Sequence, residues 1–126
     1  MKDEKQEVRD IRERAFKYAL RAIKLYQFLQ DGKDSAGWII AKQYLRSATS
    51  IGANVEEAQS GESRADFIHK YSIAQKEARE SLYWLRLLTE SGIVLNNRLM
   101  ALTRETEEII AVVTAIIVTA KQKQRS

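Results

Sequence analysis

The stretch Gln30-Asp31-Gly32-Lys33-Asp34-Ser35 ends one apolar periodicity and opens the next, and matching breaks recur at Gln59-Ser60-Gly61-Glu62-Ser63 and Glu90-Ser91-Gly92. Glycine just beyond a helix end takes the left-handed conformation that caps the last carbonyls at no steric cost. Gly32, Gly61 and Gly92 are therefore read as three C-terminal caps, leaving four helices of similar length. The start signals agree: Ser35 predicts an N-cap, Ser63-Arg64-Ala65-Asp66 has the form of a capping box with aspartate for glutamate, and Asn96 or Asn97 opens the last helix. The predicted helices cover residues 4–30, 35–59, 63–91 and 96–122 of a single domain spanning 1–126. Junctions this short favour antiparallel neighbours, hence an all-α, up-down-up-down four-helix bundle.

Apolar spacing supports each segment. Val8, Ile11, Ala15, Tyr18, Ala22, Leu25 and Leu29 alternate steps of three and four, as do Phe67, Tyr71, Ala74, Ala78, Leu82 and Leu85. Leu99, Leu102, Thr106, Ile109, Val113, Ile116 and Ala120 repeat the pattern. Composition agrees with long helices. The 126 residues include no proline and no cysteine, where average usage of about 5% would give roughly six prolines. A 44% hydrophobic content excludes a disordered chain, and the missing cysteines exclude a disulfide scaffold. The charged start, Met1-Lys2-Asp3-Glu4-Lys5, has no apolar run behind it and is too acidic for a presequence, so the cytoplasm is the expected compartment.

Two segments carry more apolar surface than one bundle uses. From Ile109 to Ala120 there is no charge, and apolar side chains point in every direction around the helix. Twelve residues are too few for a bilayer, which takes about twenty, so Val113 and Ile117 are expected at a subunit contact. On the second helix the face opposite Ile40, Tyr44, Ala48, Ile51 and Val55 offers Ile39, Arg46, Ser50 and Ala53. That face is either a weakly polar solvent face or packs on a partner subunit, and its small residues favour the partner. A stripe of Ile73, Glu77, Glu80, Trp84 and Leu87 on the third helix suits an interface that accepts Arg46 from a neighbour.

Candidate chemistry is sparse. A di-iron bundle needs two Glu-x-x-His motifs, and this chain has one histidine, His69, behind Asp66. Ser47 and Ser50 lie within a helix with no signal placing His69 beside them, and no glycine belongs to a phosphate-cradling motif. No catalytic residue, metal site, cofactor or small-molecule substrate is therefore expected, and the chain is read as a non-enzyme without a membrane partner. The strongest surface feature is basic. Arg14, Lys17, Arg21 and Lys24 follow a 3-4-3 rhythm along the first helix, and antiparallel packing brings Lys121, Lys123 and Arg125 back to its start. The expectation is a continuous basic patch, either a solubilising face or a phosphate-neutralising surface for nucleic acid.

One long string exceeds what bundle patterning requires: Gln43-Tyr44-Leu45-Arg46-Ser47-Ala48-Thr49-Ser50-Ile51-Gly52-Ala53-Asn54-Val55-Glu56-Glu57-Ala58, followed by Ser63-Arg64-Ala65-Asp66-Phe67 and Ile73-Ala74-Gln75-Lys76-Glu77-Ala78-Arg79-Glu80. Over roughly residues 10 to 118 the chain resembles the four-helix-bundle family of bacterial 23S rRNA intervening-sequence proteins. The resemblance implies a protomer of a ring-shaped homopentamer, with RNA as the suggested partner. It extends to the accessory variability proteins of diversity-generating retroelements, which implies a reverse transcriptase as the alternative partner. Arg46, Asn54 and Glu77 fall on the family's characteristic polar positions, implying structural or interface roles. Glu56-Glu57-Ala58 departs from the Ala-Glu-Gly of many members, implying a longer second helix.

Overall fold

The computed structural model describes residues 3–125. Its helices are α1 (Glu4–Gln30), α2 (Ser35–Glu57), α3 (Arg64–Glu90) and α4 (Asn96–Arg125), with one 3-10 turn, Ala58–Ser60, continuing α2. No strand occurs among the described residues. Asp3 caps α1, accepting from the Gln6 N–H at 2.8 Å, and Glu4 and Glu7 place negative charge in the first turn, where the helix dipole favours it. Ser63 caps α3 as expected, accepting from Asp66 N at 3.1 Å. The cap of α2 is Asp34, one residue before the expected Ser35: its backbone is extended and its carboxylate accepts from Gly37 N.

The glycine expectation holds at one break of three. Gly92 alone among the described residues has positive φ, at 82°. At the first break Asp31 closes α1 in the right-handed region, its N–H reaching Gln27 O, and at the second the chain leaves a 3-10 turn through an extended Gly61. The last helix continues to Arg125, three residues beyond expectation, with Lys123 and Arg125 in the final turn complementing the negative end of the dipole.

Cross-helix pairs show that consecutive helices are antiparallel. Arg12 meets Glu56 between α1 and α2, Ser47 meets Ser81 between α2 and α3, and Gln75 meets Thr114 between α3 and α4. Between α1 and α4, Glu4 lies beside Lys123 and Phe28 beside Arg98, which closes the four-helix cycle. The core alternates alanines (Ala15, Ala22, Ala41, Ala48, Ala74, Ala78) with Tyr18, Tyr44, Tyr71, Ile51, Leu85 and Ile109, all buried. Small against large lets the layers interdigitate at close helix separation.

A polar layer crosses this core. The Tyr44 hydroxyl donates to Tyr18 Oη at 2.9 Å, Tyr18 lies 2.5 Å from Thr106 Oγ1, and Thr106 donates to the Leu102 carbonyl. Each hydroxyl in this relay donates once in one direction. Beside it the hydroxyls of Ser47 and Ser81 lie 2.8 Å apart. Burial pushes the phenols of Tyr18 and Tyr44 upward, so the relay stays neutral through the physiological range.

Candidate nucleic-acid interface

The basic stripe of α1 is divided by carboxylates that come from elsewhere. Arg14 donates through Nε and Nη2 to both oxygens of Glu105, at 3.0 and 2.7 Å, and Nη2 also reaches Glu108 at 2.7 Å. The Glu105 hydrogen bond chiefly drives the Arg14 pKa above its ordinary value. Lys17 pairs with Glu13 one turn back, and Lys123 approaches Glu4, which also holds Arg64. The continuous patch expected from sequence is thus interrupted. What remains without a carboxylate partner among the described residues is two separate areas: Lys121 and Arg125 at one end, and Arg21 and Lys24 toward the other, where Arg98 from α4 lies over the Phe28 ring at 4.6 Å.

The stripe runs beside an exposed apolar ridge. At 100° per residue the direction opposite Ile11, Ala15, Tyr18 and Ala22 falls between Leu20 and Lys24, with an apolar ridge of Phe16, Leu20 and Ile23, 65%, 47% and 39% exposed, on one side of it and the cations on the other. The cations occupy the flank turned toward α4. This apolar ridge was readable from its i, i+4, i+7 spacing, whereas Glu105 and Glu108 become visible as partners only once the pairing of α1 with α4 is known.

The expected subunit-contact residues divide in the same way. Val113 and Ile117 are buried inside the protomer, so they belong to its own core and present nothing to a partner. Between Ile109 and Ala120 the exposed apolar positions are Ala111, Ala115 and Val118. Arg46 pairs with Glu77 at 3.0 Å and with Glu80 of the same chain, which replaces the expected donation to a neighbour with a bridge from α2 to α3. Trp84 is half-buried and donates Nε1–H to Glu80 Oε2 at 3.0 Å, while Ser50 donates to the Arg46 carbonyl. Ala53 is exposed.

Two of these bridges make stability pH-dependent. Hydrogen bonding to Arg12 holds the Glu56 carboxyl below its ordinary value. Partial burial opposes the same shift at Glu80, but hydrogen bonds from Trp84 and Arg46 outweigh it. A depressed carboxylate stabilises the fold above its unfolded pKa of about 4.3, and that contribution is lost as pH falls through the folded value. Thermal melts between pH 6 and pH 3 are expected to fall less steeply for Glu56→Gln/Glu80→Gln than for the parent. Parallel curves would remove these pairs as the source.

Among the described residues no group of three His, Cys, Asp or Glu side chains is placed to hold a metal ion, and no helix is long and apolar enough to cross a membrane. Residues 7–115 match the 23S rRNA-intervening sequence protein family. The chain belongs to that family. A crystal structure of a protein of unknown function from the S23 ribosomal protein family of Bacteroides thetaiotaomicron VPI-5482 is 37% identical, with a TM-score of 0.80, covering 88% of this chain and 97% of that one. No curated protein matches the chain. The fold that this 23S rRNA-intervening sequence protein shares with that crystal structure extends over 88% of the chain.

Proposed function

We propose that this chain is a non-enzymatic, homo-oligomeric bundle that binds structured RNA, or an rRNA-associated complex, in the cytoplasm through the flank formed by α1 and α4. The observation that carries the reading is the inequality among its cations: Arg14, Lys17 and Lys123 pair with carboxylates of the chain, while Arg21 and Lys24 meet none among the described residues. Cations without internal carboxylates release more counterion on meeting phosphate, and assembly into a ring multiplies them. The resemblance implies five copies, and the Phe16–Leu20–Ile23 ridge supplies an apolar surface for their contact.

The test is RNA binding by fluorescence anisotropy across a salt series. Arg21→Gln/Lys24→Gln is expected to weaken binding roughly tenfold or more, because charge-assisted contacts are lost. The slope of log affinity against log salt should also become shallower by about 1.5, near 0.7–0.9 per phosphate. Unchanged affinity and slope would refute the site. The exposed ridge also favours a second reading, a scaffold for a protein such as a retroelement reverse transcriptase. That reading expects Leu20→Glu to abolish partner capture and the double glutamine variant to leave it intact.

A further inference from the structure

Phe28 closes the basic flank at the end of α1. Arg21, Lys24 and Phe28 stand at i, i+3 and i+7, so they share one face, with Lys24 about 6 Å and Arg21 about 10 Å along the axis from the ring. The ring is 46% exposed although it is a large apolar group, and the Arg98 guanidinium lies over it. Next to it is a cavity of about 350 Å³ at the end of the bundle, with Leu29, Gly37 and Ile93 among its walls and Lys33 between Asp31 and Asp34 at its rim. Of those carboxylates Asp34 is engaged in capping α2.

Resting on the RNA reading above, we infer that this corner takes an unpaired nucleotide, its base stacked on the Phe28–Arg98 pair and its flanking phosphates on Lys24 and Arg21. An aromatic ring with a guanidinium plane is the surface on which splayed-out bases stack, and it has nothing to offer a base held inside a duplex. The phosphate contacts carry affinity without regard to pairing. The ring therefore confers a preference for loops, bulges and single-stranded ends within a structured RNA. Neither partner is required by the core, since Phe28 and Arg98 are both outside it.

The experiment compares two labelled RNAs of equal length and charge, a hairpin with an adenine-rich loop and a fully paired duplex, by anisotropy at low salt. The parent protein is expected to favour the hairpin by roughly tenfold, within the range of one base–aromatic stack. Phe28→Ala and Phe28→Leu should bring the hairpin down to the duplex affinity with the duplex unchanged, and Phe28→Trp should restore the preference and show Trp quenching with the hairpin alone. Arg21→Gln/Lys24→Gln should weaken both RNAs equally. A parent that binds both RNAs alike, or a Phe28→Ala variant that weakens both alike, overturns the stacking site while leaving RNA binding in place. Failure to bind either RNA overturns the RNA reading and this inference together.

Discussion

Val113→Glu is expected to yield insoluble or unfolded chain, whereas Leu20→Glu is expected to remain folded and to sediment at a lower mass than the parent. Val113 is fully buried. Burying an unpaired charge costs several kcal/mol even after the group takes up a proton, against a total stability of about 5–15 kcal/mol for a domain of this kind. Leu20 is 47% exposed, so a carboxylate at that position stays hydrated and costs the monomer within about 0.5 kcal/mol. In an assembly covering the ridge it would bury one charge per contact. Circular dichroism and light scattering separate the two effects. A parent that scatters as a monomer refutes the oligomer, and a Leu20→Glu protein with the parent's mass takes the ridge out of the contact.

The second large effect comes from one chemical change made at two buried tyrosines. Tyr18→Phe removes the acceptor for the Tyr44 hydroxyl, leaving that buried donor unsatisfied at a cost of about 1–3 kcal/mol, while Thr106 keeps its bond to Leu102. Tyr71 is equally buried, but its hydroxyl has no hydrogen-bond partner among the described residues. The Tyr71 ring stacks on Phe67 with centroids 4.5 Å apart, and phenylalanine preserves that stack. Tyr71→Phe is accordingly expected to leave stability unchanged or to raise it by up to about 1 kcal/mol. Urea unfolding of the two variants checks the contrast, and equal losses would assign the cost of Tyr18→Phe to ring packing.

The helices were legible because period and punctuation are local properties. Ser63 capped where it stood, and the seams through Tyr18, Ala78 and Ile109 are the seams of the bundle. Gly32 and Gly61 misled because a glycine marks freedom at a break without dictating its use, and the chain closed those helices with right-handed and 3-10 geometry. The surface was harder, since it depends on which helix lies next to which. Arg14 reads as a member of a basic stripe until α4 brings Glu105 and Glu108 to it, some ninety residues away in sequence. Val113 shows the opposite difficulty: its spacing puts it on the core seam, and only the all-round apolar character of residues 109–120 suggested a subunit contact as well. Phe28 passed unnoticed because its significance comes from Arg98 across the groove.

The relay from Tyr44 through Tyr18 and Thr106 to Leu102 has a consequence for how the helices find their places. Alanines recur at seven-residue spacing on α1 (Ala15, Ala22) and α2 (Ala41, Ala48), so a slip of two turns would exchange alanine for alanine at several core positions. The same slip of α1 would part Tyr18 from both Tyr44 and Thr106, leaving Thr106 only the bond to Leu102 within its own helix. The hydroxyl relay thus works as a detent, adding a polar penalty to the offset at which the alanines repeat.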